Sequence, residues 1–309
     1  MNYQLLANLE NWLGQQIVGQ QDLIHKLMLA LLANGHLLVE GAPGLAKTRA
    51  IKEMAEGIEG SFHRIQFTPD LLPGDITGTD IFRPQTGAFE FQQGPIFNNL
   101  VLADEINRAP AKVQSALLEA MAECQVSIGS QTYELPSLFL VMATQNPIEQ
   151  EGTYPLPEAQ LDRFLMHVRV SYPDAGAEQA ILRLARSEAG GTHRRPEGTV
   201  SQADIFSARK AVLDIHMAPA VEEYIIQLIV GTREPDHYDS ELAGWLEYGA
   251  SPRATIALDR CARANAWIAG RDYVSPDDVQ AVALDCLRHR LIVSFEAEAA
   301  GVTSDQIIE

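Results

Sequence analysis

The chain has few cysteines and no long apolar run. Its three cysteines, Cys124, Cys261 and Cys286, are too widely spaced for a C-x-x-C metal or redox pair. Apolar stretches such as 27–33 and 224–230 fall well short of the roughly 20 residues that a membrane span needs. The N-terminus has no basic flank before an apolar core, as a secretory signal would. We therefore expect a cytoplasmic protein with reduced cysteines and no membrane span.

Positive charge is also scarce. The chain has 23 Lys and Arg against 41 Asp and Glu, which gives a formal net charge of -18 over 309 residues. This balance opposes binding along a nucleic-acid backbone, because such binding neutralises phosphates with basic side chains. A local basic cluster, His193-Arg194-Arg195, lies between glycines and Pro196, a setting typical of a solvated loop. The eight histidines lack the spacing of a zinc site.

A loop of small residues stands between a predicted strand and a predicted helix, and it reads Gly41-Ala42-Pro43-Gly44-Leu45-Ala46-Lys47-Thr48. Small residues let successive backbone N–H groups turn toward a phosphate, and the N-terminus of the helix adds its positive dipole end. Lys47 supplies a mobile cation, and the Thr48 hydroxyl can ligate Mg²⁺. Ala46 stands where the usual pattern has a second glycine, so a residue with a Cβ must adopt a conformation that is easy for glycine. The alternative is an ordinary glycine turn.

A second motif begins about sixty residues later, where the apolar strand 100–103 ends in Asp104 and Glu105. A buried parallel strand is typically a continuous apolar run, and open α/β sheets bind ligands beyond the carboxyl ends of their strands. Asp104 would hold Mg²⁺ through its water shell, and Glu105 would act as general base toward an attacking water. Alternatively, Asp104 caps the helix that begins near Pro110.

Strands and helices alternate in the first half of the chain. Strands are predicted at 36–40, 63–67, 100–103 and 138–143, and the main helices between them at 47–57 and 111–123. Two earlier helices flank a short break at 17–20. This alternation predicts a parallel, doubly wound α/β sheet.

Two inserts interrupt the alternation. One is a predicted hairpin of 80–82 against 88–91 around Gln85-Thr86-Gly87, and the other pairs 125–128 with 132–135. From about Pro173 onward, helical periods dominate. We therefore expect a nucleotide-binding α/β domain over residues 1–172 and an all-α lid domain over 173–309.

Three further segments carry polar residues at positions of interest. Asn146 follows the fourth strand and would lie beside Asp104 and Glu105 if the two strands are neighbours, although an Asn before proline is also a turn former. Arg163 stands in the segment Glu158-Ala159-Gln160-Leu161-Asp162-Arg163-Phe164. It could instead form a surface ion pair with Asp162 or Glu158. Arg253 follows Pro252 and could be an ordinary first-turn helix residue.

In this order, these motifs resemble the AAA+ ATPases. The details Gly-Ala-Pro-Gly-Leu-Ala-Lys-Thr, Asp-Glu-Ile-Asn-Arg-Ala and Glu-Ala-Gln-Leu-Asp-Arg-Phe resemble the MoxR branch, in which alanine at position 46 is normal. The resemblance spans residues 17 to about 291. It implies a P-loop AAA+ core with hairpin inserts, a helical lid and a hexameric ring. It also implies a chaperone-like remodeller of a protein client, with a von Willebrand factor A domain partner on a separate chain.

The resemblance also assigns site residues for ATP or ADP and Mg²⁺. The phosphate loop is Gly41, Ala42, Pro43, Gly44, Leu45, Ala46, Lys47 and Thr48. Lys47 would grip the β- and γ-phosphates, while Thr48 and Asp104 would hold Mg²⁺. Glu105 would activate water and Asn146 would orient it. Two arginines complete the assignment: Arg163 would reach the neighbouring subunit's γ-phosphate, and Arg253 would act as sensor 2 in its own or the neighbour's site.

The arginine finger and the adenine pocket each have an alternative interpretation. Arg108, just past the acidic pair, competes with Arg163 for the role of arginine finger. The loop containing Val18 and Gly19 resembles the adenine pocket of AAA+ proteins, but it could equally be a plain turn between helices.

The main functional prediction is a Mg²⁺-dependent ATPase whose ring acts on a protein client. One alternative is a nucleotide-gated scaffold with slow turnover. The other is a nucleic-acid motor, which the charge of -18 disfavours.

Overall fold

The computed structural model describes residues 2–85, 87–148, 152–191, 196 and 198–309. Turn residue Thr86 and the basic cluster His193-Arg194-Arg195 lie outside these ranges. The helices are α1 (Asn2–Gln16), α2 (Gln21–Leu32), α3 (Lys47–Gly57), α4 (Pro73–Thr77), α5 (Ala111–Glu123), α6 (Glu158–Leu161), α7 (Ala175–Ala189), α8 (Gln202–Leu213), α9 (Pro219–Arg233), α10 (Ser240–Trp245), α11 (Pro252–Ile268), α12 (Pro276–Leu287), α13 (Phe295–Ala299) and α14 (Ser304–Ile308). The strands are β1 (Leu37–Gly41), β2 (Phe62–Gln66), β3 (Gly78–Arg83), β4 (Ala88–Gln93), β5 (Leu100–Asp104), β6 (Gln125–Ile128), β7 (Gln131–Glu134), β8 (Leu140–Gln145), β9 (Met166–Val170), β10 (Leu246–Tyr248) and β11 (Ile292–Val293). Among the described residues, no helix is both long enough and apolar enough to cross a membrane.

The centre of the molecule is a five-stranded parallel sheet with the order β2-β5-β8-β1-β9. It contains all four predicted strands, and β8 lies between β5 and β1. The carboxyl ends of β5, β8 and β1 therefore meet at one edge of the sheet. Asn146, which follows β8, can thus lie near Asp104 and Glu105, which lie at the end of β5.

The sheet is covered on both faces, which explains why its inner strands are continuous apolar runs. Leu100 and Leu102 of β5 belong to the core shared with α1–α3 and the lid helices. Val101 and Ala103 belong to the opposite core, together with Val113, Leu117 and Met121 of α5. The predicted bounds of α3 and α5 are confirmed.

The fifth strand, β9, was not predicted. It pairs with β1 at the sheet edge, with Val39 opposite Val168. Its sequence is Met-His-Val-Arg-Val, so His167 and Arg169 interrupt the apolar run that signals a buried strand. An edge strand of this kind is identified by its hydrogen-bonded pairing with β1 and not by its composition.

Both predicted hairpins are present as antiparallel pairs, β3 with β4 and β6 with β7. The rings of Phe91 and Tyr133 stack with centroids 4.0 Å apart and join the two hairpins. On the first hairpin, Phe82 and Phe89 face each other across the strands and are 51% and 72% exposed. The two hairpins therefore pack together as one unit, and Phe82 and Phe89 form an apolar patch on its solvent-exposed surface.

The C-terminal part is helical from α7 onward and includes one small sheet, β10 with β11, that the periodicity did not predict. Arg290, just after α12, anchors this part to the core. Its side chain is 3% exposed and donates to the Asp162 carboxylate at 2.8 Å and to the carbonyl oxygen of Phe164 at 2.6 Å. Ser251, the N-cap of α11, also donates to Asp162, at 2.9 Å. Asp162 therefore connects the core to two lid elements.

We expect Arg290→Met to lower the free energy of unfolding by about 3–5 kcal/mol, because it removes one partner of a buried ion pair. Urea unfolding followed by circular dichroism measures the change. The matched control is Arg83→Met, since Arg83 pairs with Glu90 at 2.8 Å but both side chains are more than half exposed. That control should cost less than about 1 kcal/mol. Equal losses in the two variants would contradict the anchoring role of Arg290.

Candidate functional site

The loop between β1 and α3 has the backbone geometry that its sequence demanded. Ala46 lies in the left-handed region, with φ 57° and ψ 15°. This conformation is unfavourable for a residue with a Cβ, and such strain is typical of functional sites. Ala46 is also the N-cap position of α3 and offers no side-chain cap. The first N–H groups of an eleven-residue helix are therefore left to an external acceptor such as a phosphate.

The side chain of Lys47 folds back over this loop. Its ammonium group donates to the carbonyl oxygens of Gly41 and, at 3.2 Å, Ala42. Burial lowers the pKa of Lys47, while the charges of Asp104 and Glu105 oppose that effect. The cation is thus held on carbonyl oxygens that a phosphate can replace as its partner.

The two acids follow each other at the end of β5. Asp104 is 8% exposed, and its Oδ1 accepts a hydrogen bond from the Thr144 hydroxyl at 2.6 Å. The Glu105 backbone is left-handed, and its N–H donates to the same hydroxyl at 3.0 Å. Thr144 of β8 therefore fixes both residues. Asp104 does not cap α5, whose N-cap position is Pro110, so the capping alternative is wrong.

Neighbouring side chains hold the Glu105 carboxylate in place. Its Oε2 accepts from Gln66 Nε2 at 2.9 Å and from Arg108 Nη1 at 3.0 Å. Arg108, the rival candidate for the finger, is thus bound to an acid of its own chain. Gln66 lies on β2 opposite Asp104 in the parallel register. The contact brings β2 into the site beside β5.

Asn146 lies at the same edge and is 7% exposed. It lines a cavity of about 420 Å³ together with Lys47, Thr48, Asp104 and Glu105. Its Oδ1 also accepts from the N–H of Ile148 at 3.1 Å, so the turn-forming contact is present as well. The structure therefore brings together the loop, the acidic pair and Asn146 around one cavity.

The donors at this cavity suit a hard cation. Thr48 offers a hydroxyl and Asp104 a carboxylate, both oxygen ligands of the kind that Mg²⁺ prefers. Mg²⁺ usually takes only one or two carboxylates and completes its shell with water and phosphate oxygens. Within the described residues there is no group of three or more His, Cys, Asp or Glu that would form an all-protein metal cage. The residues fit Mg²⁺ bound together with a nucleotide.

A second cavity, of about 240 Å³, adjoins the first. Both share the loop residues 43–46, and the second is otherwise lined mainly by apolar side chains that include Ile17, Val18 and Ile181. Gly19 packs behind it, where a Cβ would come within 2.9 Å of Pro173 and Ala177. An apolar cavity beside a phosphate loop suits a purine base. Val18 lines this space, whereas Gly19 permits the close approach of Pro173 and of Ala177 in the first turn of α7.

The remaining predicted arginines lie elsewhere. Arg163 Nη1 donates to the carbonyl oxygen of Leu118 in α5 at 2.8 Å, rather than pairing with Asp162 or Glu158. Arg253 is half exposed at the start of α11, with Nη1 3.8 Å from Asp162. Neither residue lines the two cavities. Within one chain, the structure therefore does not bring Arg163 or Arg253 to the phosphate loop.

Sequence reasoning missed three side chains of the site, Arg64, Gln66 and Thr144. Arg64 donates to Asp104 Oδ2 through Nε at 3.0 Å and Nη2 at 2.6 Å. The only signal in the sequence was the alternation of Arg64 and Gln66 along β2, which places both on one side of the strand. These side chains reach the site because β2 lies beside β5 in the sheet. The sequence alone does not reveal that strand order.

Comparisons with known proteins agree with this fold. Residues 36–166 match the profile of the ATPase family associated with various cellular activities (AAA), and residues 243–309 match that of the AAA lid domain. The chain is 45% identical over 293 residues to the chaperone MoxR1 of Mycobacterium tuberculosis. This alignment covers 94% of the present chain and 77% of that protein. It is 32% identical to protein MoxR of Methylorubrum extorquens, with 97% and 92% coverage. The crystal structure of a candidate ATPase from Cytophaga hutchinsonii superposes with a TM-score of 0.91 at 46% identity, covering 99% of this chain and 93% of that one.

Proposed function

The chain belongs to the MoxR family of AAA+ ATPases, and from that premise we propose that it is a Mg²⁺-dependent ring ATPase that remodels or activates a protein client. The observation that carries the proposal is the single cavity where the strained loop, Lys47, the acidic pair and Asn146 meet. Each of these groups has a distinct part in phosphoryl transfer.

Bound Mg²⁺ would neutralise charge that develops on the phosphate oxygens. Lys47 would exchange its carbonyl partners for the β- and γ-phosphates, and Thr48 and Asp104 would hold the metal, Asp104 through the metal's water shell. Glu105, oriented by Gln66 and Arg108, takes the proton of the attacking water. Asn146 positions that water. The smaller apolar cavity lined by Val18 holds the base.

We further propose that catalysis is shared between subunits of a hexamer. Arg163 lies outside both cavities of its own chain, as a residue that completes the neighbour's site must. Arg253 also lies outside both cavities, with Nη1 3.8 Å from Asp162, the residue before Arg163, and we propose that it acts as sensor 2 in its own or the neighbour's site. The proposed division into a core of residues 1–172 and a lid of 173–309 falls between β9 and α7.

We expect Lys47→Ala to abolish ATP binding in calorimetric titrations, because the cation that faces the phosphates is lost while the fold remains. The matched control is Lys52→Ala, since Lys52 lies on the same helix but is exposed. The control should bind ATP as the wild type does. Unchanged affinity in a folded Lys47→Ala protein would contradict the assignment of the phosphate loop.

The client is best identified by capture on a Glu105→Gln variant, which should hold ATP and client together. A remodeller should release the captured protein in an altered conformation when wild-type turnover resumes. A nucleotide-gated scaffold should change its affinity for a partner between ATP and ADP without altering that partner. Stimulation of turnover by DNA or RNA would favour the motor, against the net charge of -18. We propose a cytoplasmic location, with any von Willebrand factor A domain partner supplied by another chain.

A further inference from the structure

Arg64 occupies a position in the phosphate-side cavity to which the sequence motifs give no role. It lies on β2, the edge strand next to β5, and its side chain is 49% exposed. Two of its N–H groups bond Asp104 Oδ2, at 3.0 Å and 2.6 Å, and Nη2 also lies 2.8 Å from Gln66 Oε1. Arg64 therefore contacts the acid that is the proposed ligand of the metal.

The pairing compensates a charge that would otherwise be costly. A buried carboxylate without a counter-charge is strongly destabilising, and the hydroxyl of Thr144 covers only Oδ1. The two other cations that line this cavity are engaged elsewhere: Lys47 with the loop carbonyls and Arg49 with Glu188 and Glu53. Among the described residues around the cavity, Arg64 is thus the cation paired with Asp104.

This pairing conflicts with metal binding at the same carboxylate. Oδ1 already accepts from Thr144, so a hydrated divalent cation competes with Arg64 for Oδ2. A guanidinium and a dication also repel each other at such short range. Arg64 can turn outward, because about half of its side chain faces solvent and β2 is the edge strand of the sheet.

We propose that Arg64 is an exchangeable counter-cation of Asp104. It neutralises the carboxylate while no divalent cation is bound, and it leaves when Mg²⁺ arrives with the nucleotide phosphates. The inference rests on the proposed Mg²⁺–nucleotide site and specifies how that site is kept stable between turnovers. Because Gln66 bonds both Arg64 and Glu105, the departure of Arg64 also removes one contact that orients Gln66 on the general base.

The test measures the affinity of a fluorescent N-methylanthraniloyl ADP in EDTA and in saturating Mg²⁺, without reference to turnover. In EDTA, Arg64→Ala should bind about tenfold more weakly than the wild type, because bare Asp104 then repels the phosphates. In Mg²⁺, the variant should bind at least as tightly as the wild type, because the metal no longer competes with a guanidinium. The Mg²⁺ concentration that gives half-maximal binding should fall accordingly.

The matched control is Arg83→Ala. Arg83 lies on β3 of the first hairpin, is 51% exposed and pairs with Glu90 of β4 at 2.8 Å. Its removal should leave both affinities unchanged. Arg64→Lys keeps the positive charge and should restore most of the affinity in EDTA.

Opposite responses in EDTA and Mg²⁺ are the signature of the exchange. Equal weakening of Arg64→Ala in both conditions would overturn the proposal, since it would make Arg64 a plain phosphate contact or a structural residue. No change in either condition would overturn it as well. If the wild type itself binds no nucleotide, the proposed function fails first, and that result is distinct from a normal wild type with an unresponsive variant.

Discussion

Glu105→Gln should bind ATP normally and hydrolyse it about 10²–10⁴ times more slowly, the usual loss when general-base assistance is removed. The substitution keeps the shape of the side chain and an oxygen acceptor for Gln66 and Arg108. The backbone N–H that bonds Thr144 is unaffected, so the left-handed turn after β5 should persist. The loss should therefore fall on the chemical step and not on the site that binds nucleotide.

Two measurements check this expectation: the dissociation constant for ATP by calorimetry, and phosphate release under saturating ATP. Glu123→Gln is the matched control, because Glu123 is an exposed residue at the end of α5. That variant should hydrolyse ATP at the wild-type rate. Near-normal hydrolysis by Glu105→Gln would mean that another residue acts as the general base.

Arg163→Ala should also bind ATP with little loss and fail to hydrolyse it, with a decrease of about 10³–10⁵-fold if it is an arginine finger. In a single chain, Arg163 bonds only a neutral carbonyl oxygen, that of Leu118, among its described contacts. A bond of this kind is worth a few kcal/mol at most, so the guanidinium can leave it for a more highly charged phosphate. Activity per subunit should then rise steeply with protein concentration and fall on dilution.

Mixing the two inactive variants distinguishes action in trans from action in cis. An Arg163→Ala subunit keeps native Glu105, and its Glu105→Gln neighbour keeps native Arg163, so a mixed ring contains some complete sites. Turnover should therefore recover on mixing. The control replaces the second partner with a Glu105→Gln, Arg163→Ala double variant, which donates no finger and should restore nothing.

A mixture as inactive as its components, under conditions where subunits demonstrably exchange, would remove the support for Arg163. Arg253 would then be the stronger candidate, because it is half exposed and, among the described residues, its side chain forms one ion pair, with Asp162 at 3.8 Å. Arg108 would have to leave Glu105 to serve in the same way.

The parts of the site that are contiguous in the chain were predictable. The strand, loop and helix at 37–57 are local, and the left-handed Ala46 follows from the spacing of the motif. The MoxR resemblance, the ATPase assignment and the α/β fold with a helical lid are confirmed by the relatives and the solved structure. The roles of the individual site residues, the domain boundary, Mg²⁺ and the hexamer stay predictions.

The sequence by itself determined the local elements and their chemistry, because apolar periodicity and motif spacing act over a few residues. Only the tertiary structure decided which strands are neighbours and which side chains contact one another. The order β2-β5-β8 places Arg64 and Thr144 on Asp104, and the pairing of β9 with β1 closes the far edge of the sheet. Asp104 and Thr144 are 40 positions apart, and no local pattern encodes which strands become neighbours. That choice depends on how the whole chain buries its apolar faces, so the partners of Asp104 and Glu105 emerge only with the complete fold.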